Sequence, residues 1–94
     1  MNSLSIKIKI DNREYPIKVT PEEEARLRKA GKSINAEIEQ FKNQFGLDDK
    51  QDILSMVLFK TYVERLELEE KLQAQSLEFE QKIAKLDNIL SQSV

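Results

Sequence analysis

After Gly46 the chain contains no further glycine or proline, so nothing downstream stops a helix that starts at Asp48 or Asp49. Carried to about Gln92, that helix would measure on the order of 65 Å at about 1.5 Å per residue. A compact domain of this size has a radius of gyration of only about 13 Å, so the helix is expected to project from whatever head the other residues build. Its apolar residues indicate how it is covered. Leu54, Val57, Leu58, Leu68, Leu72, Phe79, Ile83, Leu86, Leu90 and Val94 share one side over the whole length. Between Ile53 and Leu66 the opposite side is apolar too, through Met56, Phe59 and Val63. A helix apolar all round is buried, which predicts that this part lies inside the head or its dimer interface.

Beyond Leu66 the pattern narrows to one seam, with spacings of three and four clearest at Phe79, Ile83, Leu86 and Leu90, as in a coiled coil. Leu66, Leu77 and Ala84 add a weak second face, which favours more than two helices meeting. Arg65, Glu69 and Ser76 interrupt the seam and predict an imperfect coil. No other helix of the chain is long enough to cover it. Self-association is the expected solution, with Leu72, Phe79, Ile83, Leu86 and Leu90 as its oligomerisation residues.

The head is legible upstream. Leu4, Ile6, Ile8 and Ile10 alternate with Ser5, Lys7 and Lys9, which is the pattern of a half-buried strand. Asp11 to Glu14 supplies turn chemistry, and Tyr15, Ile17 and Val19 alternate again, so the two runs predict a hairpin over about 4–19. Pro16 cannot donate to a ladder and belongs at a non-bonded or edge position. Two strands are marginal alone and need a cover. Thr20, Pro21 and Glu23 announce it, as N-cap, first helical residue and capping-box partner. Leu27, Ala30, Ile34, Ile38, Phe41 and Phe45 then fall on one stripe of a helix over about 21–45, which Gly46 ends. Gly31 lies mid-helix beside that stripe, either merely tolerated or marking close approach at a crossing. The expected fold is mostly α with a small β-hairpin: a β-β-α-α head over 1–66, its last helix extended into a coiled coil over 67–94.

Composition removes most chemistry. The 94 residues include neither Cys nor His, which excludes disulfides, thiolate metal sites and the commonest general base. The many carboxylates stand at helix starts or on exposed faces rather than as a pair in a pocket, and no glycine-rich phosphate loop is present. Neither enzymatic activity nor a cofactor, metal or small-molecule substrate is expected. No apolar run approaches the roughly 18 residues of a membrane span, and no signal-peptide pattern follows Met1, so a cytoplasmic location is expected. A net charge of −2 argues against nucleic acid as the main partner. Basic residues do gather on the head: Arg28, Lys29, Lys32 and Lys42 along one side of the first helix, Arg13 at the hairpin tip, and Lys7, Lys9 and Lys18 on the strands. Glu24 and Glu39 interrupt that helical patch. The two readings are a solvated face and a dock for an acidic protein surface.

A hairpin, a capped helix of about 25 residues and a longer helix running into a coiled coil resembles the ZapA family of bacterial cell-division proteins. The supporting residues are Ile8-Lys9-Ile10 with Arg13, Pro21, and then Leu27, Ala30, Ile34, Asn35, Ile38, Phe41 and Lys42. Gln51, Tyr62, the run from Phe79 to Ile83, and Leu86 extend the likeness over nearly the whole chain. The resemblance implies a cytoplasmic protein at midcell that binds the tubulin-like division GTPase FtsZ and cross-links its filaments. Head dimers would join through antiparallel coils into a tetramer, with heads at both ends. It implies filament contact by charged head residues, of which Arg13 and Lys42 match such positions, with Arg28 and Lys32 as further candidates. Pro16 and Asn43-Gln44-Phe45 depart from the pattern at other basic sites. The rival readings are an unrelated coiled-coil adaptor and a nucleic-acid-associated protein using the basic head. A prefoldin-like chaperone fits less well, because its hairpin lies between two coil helices and this one precedes both.

Overall fold

The computed structural model describes residues 2–92. Strand β1 (Leu4–Ile10) and strand β2 (Arg13–Val19) precede helix α1 (Pro21–Phe45) and helix α2 (Lys50–Gln92). This is the expected mostly helical β-β-α-α order with an extended last helix. One compact unit runs to Phe59 and a second begins at Lys60.

The strands pair antiparallel from Leu4–Val19 to Ile10–Arg13. The turn is therefore two residues, Asp11 and Asn12, and shorter than the expected four; Arg13 and Glu14 already face Ile10 and Lys9. Asp11 makes the tight reversal possible by adopting φ 57°, a left-handed conformation that aspartate tolerates better than most residues. In a two-residue hairpin the closing pair is the hydrogen-bonded one, and bonded and non-bonded pairs then alternate. Pro16, opposite Lys7, falls on a non-bonded pair, so its missing N–H costs the ladder nothing.

Helix α1 covers one face of the hairpin. Ile6, Ile8 and Val19 form a small core against Leu27 and Ile10. At the helix start Thr20 and Glu23 form the expected capping box, in which the Thr20 amide and the Thr20 hydroxyl both donate to Glu23 Oε1, each at 3.0 Å. Gly31 is buried, and a Cβ built on it would lie 3.0 Å from Ile8 Cγ2. The glycine marks close approach, with a strand side chain rather than a helix crossing over it. Of the predicted stripe, Ile38 and Phe41 are buried and Leu27 and Ile34 partly so, whereas Ala30 and Phe45 are exposed. Ala30 lies at the edge of the stripe farthest round from the buried Gly31 and Ile38, and Phe45 is the last residue of α1.

Gly46 ends α1 in the left-handed conformation at φ 63°. Asp49 starts α2: its Oδ1 accepts the Asp52 amide at 3.1 Å and its carbonyl accepts the Ile53 amide at 3.0 Å. Ile38, Phe41, Ile53 and Val57 make the second core, with Ile10, Ile34 and Leu47 packed around it. Ile10 touches both cores and joins the hairpin to the helix pair.

One expectation for α2 needs correction, and the first of the two covers expected for its start is met on one side only. Val57 faces α1 with Ile53 instead of continuing the seam, because the inward face of α2 is centred between those two residues. Nor is the start of α2 enclosed by its own head. Only Ile53 and Val57 are buried, while Met56 is 42% and Phe59 66% exposed. Among the described residues the head covers fully only the side of the helix that carries Ile53 and Val57. In the second unit every residue from Thr61 to Gln92, including Val63 and Leu66, is exposed. Val94, assigned to the seam from sequence, lies outside the described residues.

Candidate partner-binding surface of the head

The hairpin turn sits where the chemistry of the head concentrates. Asp11 and Asn12 reverse the chain at the end of β1, and Arg13 opens β2 immediately after. An open cleft of about 630 Å3 lies beside this turn, lined by Ile10, Asp11, Asn12, Arg13, Tyr15 and, from the start of α2, Lys50, Gln51, Leu54, Ser55 and Leu58. Its lining combines apolar Ile10, Leu54 and Leu58 with two cations, Arg13 and Lys50, and one carboxylate, Asp11. Arg13 is exposed and makes no ion pair among the described residues, so its five donors face solvent or a partner.

Lys42 stands in the last turn of α1, where a cation complements the helix dipole. Its ammonium lies 4.0 Å from Asp11 Oδ1 and 3.9 Å from Glu39 Oε1. The other Asp11 oxygen receives Lys50 Nζ at 3.2 Å. One carboxylate from the turn thus collects a lysine from the end of α1 and another from the start of α2, and only one of the two charges is neutralised by it.

Behind this cluster Asn35 ties the turn to α1. Its Nδ2 donates to the Lys9 carbonyl at 2.9 Å, and its Oδ1 accepts the Asp11 amide at 2.7 Å. Both backbone groups belong to the turn end of β1, and both find their partner in this single amide.

The other two sequence candidates lie elsewhere on α1. Lys32 precedes Lys42 by ten residues and Arg28 by fourteen, about 15 Å and 21 Å along the axis at 1.5 Å per residue. Arg28 is held by Glu24 at 2.9 Å across one helical turn, a surface pair of the kind that contributes little to stability. Lys32 is exposed. Asp11 therefore gathers Lys42 near the Arg13 turn and does not reach Arg28 or Lys32. Lys50 was missed in the sequence reading because it lies at a helix start, where a lone lysine carries no pattern. The role of Asn35 was also hidden, although a poor helix former in mid-helix, on the side that carries Arg28 and Lys42, was a usable signal.

In the second unit the predicted oligomerisation residues Leu72, Phe79, Ile83, Leu86 and Leu90 are each half or more exposed, with Leu68 in line with them. Arg65 and Glu69, which interrupt the seam, pair with each other at 2.9 Å, and this hydrogen bond raises the Arg65 pKa further. Glu78 and Lys82 pair in the same way at 3.3 Å. Among the described residues no helix is long and apolar enough to cross a membrane.

Against known proteins, the family model described as Cell division protein ZapA matches residues 6–90, nearly the full chain. No curated protein matches it.

Proposed function

Because this chain belongs to the ZapA family of cell division proteins, we propose that it binds FtsZ filaments through its head and cross-links them as a coiled-coil tetramer at the division site. The observation that carries the cross-linking half is the uncovered apolar side of α2, where Leu72, Phe79, Ile83, Leu86 and Leu90 stay exposed in one chain. So many large apolar side chains in line mark an interaction surface, and their spacing of three and four is that of helices packing on helices. Exposed Met56 and Phe59 on one flank of the α2 start, and Leu54 and Leu58 on the other, support pairing of heads as well.

The binding half rests on the basic turn. Arg13, Lys42 and Lys50 offer cations to carboxylates on a filament surface, where complementary charge steers encounter and fixes register. Neither half asks for a cofactor or a catalytic group. Two weak head contacts on one stiff connector would gain avidity through effective concentration, so bundling would exceed what a single head achieves.

The test is co-pelleting with polymerised FtsZ, run beside duplex DNA across a salt series. The expected result is saturable pelleting with filaments, bundles under the electron microscope, and no retention on DNA at moderate salt. Retention on DNA with a steep linear loss of log affinity against log salt, and none on filaments, would replace this reading by the nucleic-acid one.

A further inference from the structure

The turn that leads into Arg13 is tied to α1 by one side chain. Asn35 brackets the turn end of β1, accepting from the Asp11 amide at 2.7 Å and donating to the Lys9 carbonyl at 2.9 Å. Asp11 sits at φ 57°, the left-handed conformation that this tight turn needs and that aspartate tolerates. Its carboxylate, 19% exposed, then reaches Lys50 at 3.2 Å and Lys42 at 4.0 Å. A chain of contacts therefore runs from Asn35 through Asp11 to two cations on two helices, and Arg13, two residues after Asp11, opens β2 and pairs with Ile10. Without the Asn35 amide, the left-handed residue, the lysine pair and Arg13 would lose their common reference.

We infer that Asn35 is a positioning residue for partner binding, holding Arg13, Lys42 and Lys50 as one preset cationic cluster for a carboxylate-bearing protein surface, with Lys50 a contact in its own right. The inference rests on reading the head as the filament-binding end. A preset cluster loses less freedom on docking than three independent side chains, so the latch acts on affinity through Arg13.

The experiment uses the full chain with Asn35→Ala, which places a better helix former in α1 and should leave helix content and oligomer mass as in the parent. Amide exchange followed by NMR should show the Asp11 amide about tenfold faster, as expected for loss of one hydrogen bond, with the Ile6 and Ile8 amides unchanged. Co-pelleting with FtsZ filaments should fall by about as much as for Arg13→Ala, and the double variant should bind no worse than either single one. Such non-additivity is what a merely structural role would not produce. Unchanged Asp11 exchange, or losses that add in full, would overturn the inference. Asn35→Asp keeps the acceptor for the Asp11 amide and removes the donor to Lys9; its Asp11 amide should stay protected, and loss of that protection would count against the latch. A parent chain that fails to pellet with filaments would end the filament reading alone, because the exchange arm still decides whether the latch exists.

Discussion

Replacing Gly31 with alanine sets two effects of similar size against each other. In a helix interior, glycine to alanine is worth about 0.8–1 kcal/mol in favour of folding. The new Cβ, however, would stand 3.0 Å from Ile8 Cγ2, whereas carbon atoms prefer about 3.5–4.0 Å. Ile8 has little room to yield. It is buried, its branched side chain is stiff at χ1, and its backbone is tied into register opposite Tyr15. Overpacking of this kind costs about 1–3 kcal/mol, so the net change should run from about zero to 2 kcal/mol of destabilisation. The sign should reverse in an Ile8→Ala background, where Cγ2 is gone. There the same substitution should recover about 1 kcal/mol, although Ile8→Ala itself costs about 2–5 kcal/mol. Urea unfolding of the four chains at one fixed protomer concentration measures the cycle, since an oligomer's stability depends on concentration. If Gly31→Ala raised the parent's midpoint by the full helical gain, strand and helix would not meet closely at Gly31.

Three further outcomes follow from the same contacts. Ile83→Glu puts a carboxylate into the exposed seam between Phe79 and Leu86, where pairing would bury it without a counter-charge; sedimentation should give half the parent mass, with filament binding kept and bundling lost, and full bundling by a verified dimer would refute the two-ended linker. Arg13→Ala with Lys42→Ala should weaken co-pelleting without changing helix content or oligomer mass, because Arg13 is exposed and Lys42 half-buried, and neither belongs to the apolar cores; undiminished pelleting at moderate salt would place the contact elsewhere. Glu23 is held below the usual carboxylate range, first by the Thr20 backbone amide and then by the Thr20 hydroxyl. A lowered pKa contributes stability that is present above the ordinary glutamate value and lost as pH falls through the lowered one. Glu23→Gln should therefore flatten that part of the acid-unfolding profile, and an unchanged slope would show that the cap contributes nothing.

Much of the architecture follows from local rules that need no tertiary information. Alternation from Leu4 to Ile10 can only be a strand with one buried face, and Thr20-Pro21 with Glu23 can only open a helix that Gly46 then closes. The uninterrupted run after Asp49 settles the long last helix in the same way. The errors arose where cover had to be assigned. Met56 and Phe59 read as covered by the head or by its dimer interface, because apolar residues all round a helix imply burial; the head of the same chain leaves both exposed, and a periodic pattern does not say which chain supplies the other side. Val57 read as seam because it falls on the seam's side of the helix, and only packing against Ile38 and Phe41 turned it inward.

The sequence by itself therefore determined the elements, their order, their caps and the apolar side of α2 that the head does not bury, since each depends on neighbours within a few residues. Tertiary structure alone decided how those elements meet. It brought Asn35 to Lys9 and Asp11 across 26 and 24 positions of chain, set Gly31 under Ile8, and drew Lys42 and Lys50 to one carboxylate. Such contacts depend on the angle and depth at which the hairpin settles on α1 and α2. That docking is fixed by the joint shape of the buried Ile6, Ile8, Ile38, Phe41 and Ile53, which no periodicity in the sequence encodes.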